Sequence, residues 1–198
     1  MPPRRRLTPD QRRAELLAAG TQLFAERPYD EVQMDEIAAR AGISRALLYR
    51  HFPSKRVLFA AIYQQAADTL VSGIELDPAV SLPDQVAAGL DAHFDYFENN
   101  RHTVLAANRS LAGDPVVQAI ITAELASLQQ QMLDTTGLTG ASREITAAIL
   151  LAWLTFVHTL CLDWLENDTI TRDQLRATCI GALAGALGAA HESAGDIV

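Results

Sequence analysis

Met34 to Lys55 reads MDEIAARAGISRALLYRHFPSK, and the order of residue types in it decides the fold. Met34, Ile37, Ala38 and Ala41 recur at helical spacing, and Gly42 follows where a left-handed residue can end a helix and turn the chain sharply. Ser44 is then placed to cap a short third helix whose Leu48 and Phe52 face inward at i and i+4. Helix, glycine turn and capped short helix are the parts of a helix-turn-helix, in which the second helix of the pair enters the DNA major groove. Arg45, Leu47, Tyr49, Arg50 and His51 are left for the outer side and flanks, with Lys55, the only lysine of the chain, just beyond.

Working outward, the apolar spacing is helical nearly everywhere and no period-2 strand stands out. Thr8-Pro9-Asp10-Gln11 offers an N-cap, a proline at the first helical position and a glutamine three residues after the cap. The helix it opens carries Leu16, Gly20, Leu23 and Phe24 along one side. Thr171-Arg172-Asp173-Gln174 repeats the capping logic, and Asp114-Pro115 and Ser142 open two further helices. The expected helices are 9–26, 34–41, 45–51, 54–72, 83–99, 102–111, 115–136, 143–166 and 172–190, which makes an all-α chain of nine helices. GIELDPAVSLP at 73–83, with two prolines and a glycine, reads as a joint. The domains expected are a DNA-binding one at 1–53 and a body at 54–198, whose first helix, 54–72, connects the two.

Charge divides along the same line. The 198 residues carry a formal net charge of -8, which by itself argues against nucleic acid. Residues 1–60, however, hold eleven Arg/Lys against seven Asp/Glu, net +4, and the remainder holds five against seventeen, net -12. That asymmetry suggests a basic contact module joined to an acidic body. Cys161 and Cys179 sit in apolar helical sequence without a CxxC or Cys/His pattern, so neither zinc nor a disulfide framework is expected. MPPRRRLTPDQRR has no apolar run behind its arginines, which argues against a secretory signal. Ala147 to Leu162, the longest low-polarity run, contains Thr155, His158 and Thr159 and falls short of the roughly 20 apolar residues a membrane span needs, so it reads as a buried helix.

The sequence from about Arg13 to Leu58 resembles the TetR family of one-component transcriptional regulators. Phe24-Ala25-Glu26 and Tyr29 lie in the approach; Met34 through Ser44 and Leu48-Tyr49-Arg50-His51-Phe52-Pro53-Ser54-Lys55 follow in register. The resemblance implies that Tyr49, His51 and Lys55 contact backbone phosphates, while Arg45 and Leu47, with Arg50 beside them, approach base edges. Gln33, Ser44 and Ala46 complete the implied DNA-binding set. An arginine can bond guanine bidentately, and phosphate contacts mainly set register. Two positions depart from the family pattern. Gln33 stands where a threonine or serine is common and caps poorly, and Ala46-Leu47 replaces a glycine followed by threonine or alanine. Leu47 cannot donate to a phosphate but can meet a thymine methyl. Arg4-Arg5-Arg6 is either a minor-groove arm or a basic tail.

For the body, the resemblance implies effector binding and dimerisation in a cytoplasmic regulator, with double-stranded operator DNA and a second copy of the chain as partners, and the apolar pattern of the body favours a small, largely apolar or aromatic effector. No membrane, metal or cofactor is expected. The helix at 143–166 is apolar on two sides, so one side is expected against a second subunit through Leu150, Leu154, Cys161 and Leu165, with Gly181, Gly185 and Gly188 of the last helix letting backbones come close. An effector pocket is expected among His93, Phe94, Phe97, Asn108, Arg109, Leu128, Met132, Trp153, Phe156 and His158, and Arg109, if it points inward, suggests a carboxylate ligand. Two rival readings are an architectural DNA binder without an effector and a helical metalloprotein using Asp95, Glu98 and His102.

Overall fold

A computed structural model describes residues 8–73 and 80–195; Arg4-Arg5-Arg6 and positions 74–79 of the expected joint lie outside these. Among the described residues there are nine helices and no strand: α1 (Pro9–Glu26), α2 (Met34–Arg40), α3 (Arg45–His51), α4 (Lys55–Ser72), α5 (Leu82–Asn99), α6 (Arg101–Leu105, continued by a π turn at Ala106–Ser110), α7 (Pro115–Asp134), α8 (Gly140–Asn167) and α9 (Arg172–Gly195). A 3₁₀ turn at Tyr29–Glu31, which the periodicity does not predict, links α1 to α2.

The capping boxes form as their residues dictate. Thr8 Oγ1 accepts from the Gln11 N–H at 3.2 Å while Gln11 Oε1 accepts from the Thr8 N–H at 3.0 Å. Thr171 and Gln174 make the same exchange at 3.2 and 2.9 Å. Asp114 Oδ1 accepts from the N–H groups of Val116 and Val117 at 2.9 and 3.1 Å, opening α7. Ser142 lies inside α8 instead of opening it, because that helix already starts at Gly140.

The chain divides into two compact units, Met1–Ala66 with Asn100–Gln118 and Ala67–Asn99 with Ala119–Val198. The expected cut at residue 53 falls inside the first unit, which takes in the first part of α4 and all of α6.

In unit 1, Leu16, Val32, Ile37, Leu48, Phe52, Leu58 and Phe59 are fully buried. Phe24 and Phe59 meet edge to face at 5.1 Å, and Tyr29 stacks on Phe24 at 5.7 Å. A Cβ on Gly20 would lie 2.6 Å from Ile62 Cδ1, so its missing side chain lets α1 approach α4 closely. Val104 and Ala107 of α6 are fully buried too, and the Thr103 hydroxyl donates to the Phe24 carbonyl at 3.4 Å. The exposed Arg56 guanidinium pairs at 2.7 Å with the buried Asp114 carboxylate.

In unit 2, α8 packs against α9 and α5. Phe94 meets Trp164 edge to face at 5.9 Å, and the Trp153 indole N–H donates to the Cys179 carbonyl at 2.7 Å. Arg172 of α9 reaches Asp95 at 2.6 Å and Glu98 at 3.0 Å on α5, and Arg176 pairs with Asp91. This use of Asp95 and Glu98 removes two of the three residues of the metalloprotein reading, and among the described residues no cluster of three potential metal ligands occurs. By length and composition alone the 28-residue α8 could cross a membrane. Its Trp153, Leu154, Val157, His158, Cys161, Trp164 and Leu165 are buried inside unit 2, which is the arrangement of a core helix.

Candidate nucleic-acid interface and ligand cavity

In unit 1 the turn before α3 follows from Gly42, whose φ of 64° lies in the left-handed region, with the Gly42 N–H on the Ala39 carbonyl and the Ile43 N–H on the Ala38 carbonyl. Ser44 then adopts extended backbone and its hydroxyl accepts from the Leu47 N–H at 3.3 Å. At the start of α2 the poor capping expected of Gln33 is offset from the other direction, since the Glu36 carboxylate accepts from the Gln33 N–H at 2.9 Å. That bond first, and the neighbouring Arg27 guanidinium second, hold the Glu36 carboxyl below its ordinary value.

Of the seven residues of α3, only Leu48 is buried, and Phe52 closes the helix from below. Arg45, Ala46, Tyr49 and Arg50 face solvent, Leu47 and His51 are half-buried, and Gln33 is exposed at the head of α2. Arg45 is held in place: its guanidinium pairs with Asp35 at 3.0 Å and lies over the Tyr49 ring at 5.4 Å. Asp35 was not singled out in the sequence, although its place in the first turn of α2 was the available signal.

Lys55 departs from the expectation. Its ammonium donates to the carbonyls of Tyr29 at 2.8 Å and Val32 at 3.0 Å and sits 4.3 Å from the Tyr29 ring centre. With two of three donors spent internally, it ties α4 to the 3₁₀ turn.

Unit 2 holds a cavity of about 80 Å³ lined by Leu70, Gln85, Val86, Gly89, Leu90, His93, Leu125, Leu128, Gln131, Met132, Thr135, Trp153, Leu154 and Val157. Four expected residues, His93, Leu128, Met132 and Trp153, line it. The other six do not. Phe94, Phe97 and His158 are buried in the same unit, with Phe97 between the rings of His93 at 4.3 Å and His158 at 5.5 Å. Phe156 is 39% exposed on the far side of α8. Asn108 and Arg109 fall in the π turn of unit 1, where Asn108 Nδ2 donates to the Val104 carbonyl at 3.0 Å, so Arg109 brings no charge to the wall. Gln131 was missed, although it precedes Met132 and lies one turn from Leu128.

Burial, reinforced by the neighbouring His158, pushes the His93 imidazole down to about 3, so it is neutral at physiological pH. Among the described residues, His93 Nε2 and Gln131 Oε1 are shielded from solvent and lack a hydrogen-bond partner.

The apolar stripe of Leu150, Leu154, Cys161 and Leu165 is buried inside unit 2, between 0 and 8% exposed, and is therefore unavailable to a second subunit. The opposite face is open, with Ile145 at 50% and Phe156 at 39% exposure, Ala148, Ala152 and Thr155 between them and Thr159 beyond, all exposed. A Cβ built on Gly181, Gly185 or Gly188 of α9 meets nothing within 4 Å.

A glycine turn, a capped helix anchored by two buried side chains and a solvent-facing row that holds two arginines make up a helix-turn-helix, the arrangement in which DNA-binding proteins present a helix to the major groove. Residues 16–62 match the family described as bacterial regulatory proteins, tetR family. It is 41% identical over 97 residues to the HTH-type transcriptional activator FasR of Mycolicibacterium smegmatis, covering 48% of this chain and 44% of the relative. The HTH-type transcriptional regulator EthR of the same organism is 27% identical over 143 residues, covering 70% of this chain and 64% of the relative. The matches thus span less than two thirds of these relatives. A crystal structure of a tetR-family transcriptional regulator from Streptomyces coelicolor superposes with a TM-score of 0.83 at 25% identity, covering 92% of this chain and 83% of that one.

Proposed function

We propose that this chain is a sequence-specific transcriptional repressor of the cytoplasm that binds a palindromic operator as a homodimer. It releases the operator when a small, largely apolar molecule occupies the unit 2 cavity. The observation that carries the DNA-binding part is the outward row Arg45, Ala46, Tyr49 and Arg50 on a helix whose inward residues are fully buried. The Arg45–Asp35 pair is exposed on both sides, worth about 1 kcal/mol or less, so a guanine can compete for the guanidinium. Arg45 and Leu47, with Arg50, are assigned to base edges, and Tyr49, His51 and Gln33 to phosphates.

Dimerisation is assigned to the open faces of α8 and α9. The Thr155 and Thr159 hydroxyls donate to carbonyls one turn back, each at 2.9 Å, so that face of α8 can be desolvated at little cost. Glycines with open space above them allow a second copy to approach closely, and two-fold symmetry gives the two recognition helices that two half-sites require. The effector acts by favouring one arrangement of the two recognition helices over another, since a ligand indifferent to both shifts nothing.

Selection of bound sequences from random double-stranded DNA tests this reading. Inverted repeats with half-sites about one helical turn apart are expected. Recovery of sequences without repeat symmetry, bound with a specific to non-specific affinity ratio near unity, would sink it in favour of an architectural binder.

A further inference from the structure

Among the described residues, the wall of the unit 2 cavity contains no charged side chain. An ionised ligand entering it would lose its hydration and gain no counter-charge, which an apolar site punishes severely. His93 does not supply the missing charge, because burial keeps its ring neutral. The wall does hold two polar atoms without partners, Gln131 Oε1 and His93 Nε2. Gln131 Nε2 donates to the Val71 carbonyl at 3.2 Å, which fixes the orientation of the amide and makes its free end an acceptor. An acceptor in an apolar wall calls for a ligand that brings a hydrogen.

We propose, resting on the effector reading above, that this cavity selects an uncharged hydroxylated molecule. The ligand would be an aromatic or branched aliphatic alcohol whose O–H donates to Gln131 Oε1, with His93 Nε2 as the second polar contact and Trp153 and Met132 against its apolar body. Carboxylates and ammonium ions of the same shape are excluded. At about 80 Å³ the cavity is smaller than the roughly 150 Å³ dry cavity that holds benzene, so a one-ring ligand enters by displacing Met132, whose unbranched chain has rotamers to spare.

Calorimetric titration of the full chain with benzyl alcohol, toluene, benzoate and benzylammonium tests the assignment. Benzyl alcohol is expected to bind about tenfold tighter than toluene, the scale of one buried hydrogen bond, and the two ions not measurably. Gln131→Leu and His93→Phe should each narrow the alcohol-to-toluene ratio while toluene still binds, and toluene binding is the control for a folded cavity. Should one substitution prevent folding, the order of the four probes on the wild type still decides. The proposal falls if either ion matches the alcohol, if toluene matches it, or if both folded variants keep the wild-type ratio. If no probe binds, the cavity is not a site for one-ring molecules and the proposal falls as well. Operator affinity measured on the same samples reads the DNA-binding assignment separately from either failure.

Discussion

Truncating Lys55 to alanine leaves the Tyr29 and Val32 carbonyls without the donor they share, so Lys55→Ala should lower unfolding stability by about 1–3 kcal/mol in a urea titration. Its slope of log affinity against log salt should stay at the wild-type value, and a slope reduced by about one would restore Lys55 to the phosphate contacts. Arg45→Ala should instead relax discrimination at one operator position by about 1–3 kcal/mol, read as a flattened base preference in the selected sequences. The lysine at the end of the motif was legible in the sequence. Its partners, 23 and 26 residues away, were not, because only the folded turn brings those carbonyls to it. Two buried groups give the protein opposing pH responses. Burial raises the Glu124 carboxyl from 4.5 to about 7, so its contribution is fully present below pH 4.5 and lost as pH rises through about 7, by about 3 kcal/mol. His93 is lowered from 6.5 to about 3, so its contribution is present above pH 6.5 and lost as pH falls toward 3. Glu124→Gln should therefore remove the loss of stability between about pH 4.5 and 7 and leave the His93 response toward pH 3, which urea midpoints across pH would reveal. A variant with the wild-type slope between pH 4.5 and 7 would show that Glu124 ionises normally.

At the level of elements, helix existence and capping were readable because they depend on residues three or four apart, as at Thr8–Gln11 and Thr171–Gln174. Which side of an element faces what was not. Helix α8 carries apolar residues on two sides, and nothing in its periodicity ranks Leu150 and Leu154 against Ile145 and Phe156. Helix α6 misled for a related reason. The helix is interrupted at Asn100, and Asn108 and Arg109 belong to a different unit from the α5 residues they follow. The open face of α9 carries its own prediction. Gly185→Arg places a long charged chain where a Cβ has nothing within 4 Å, so the fold should tolerate it while a two-fold partner should not. Light scattering with circular dichroism should report a monomer of wild-type helicity, and a dimer of undiminished affinity would refute the assigned interface.

Across the whole molecule, the all-helical class and a basic first part before an acidic remainder were visible in composition and spacing. The limits of the compact units were not, since packing between segments distant in sequence and not a linker draws them. Unit 1 is assembled from Met1–Ala66 and Asn100–Gln118. A fragment ending at residue 66 therefore lacks Val104 and Ala107, both fully buried, and the Thr103 hydroxyl that donates to the Phe24 carbonyl. Such a fragment should give poorly dispersed amide spectra and bind the dye ANS, while a well-dispersed spectrum would show that α6 is dispensable. The same interleaving limits how this protein can be recombined. A crossover after residue 53 or 66 that supplies a foreign body also supplies a foreign α6, which must fit under Phe24 before the recognition helix is held in place. Operator preference in this lineage should thus change more readily by point substitution at Ala46 and Leu47 than by exchange of the N-terminal segment.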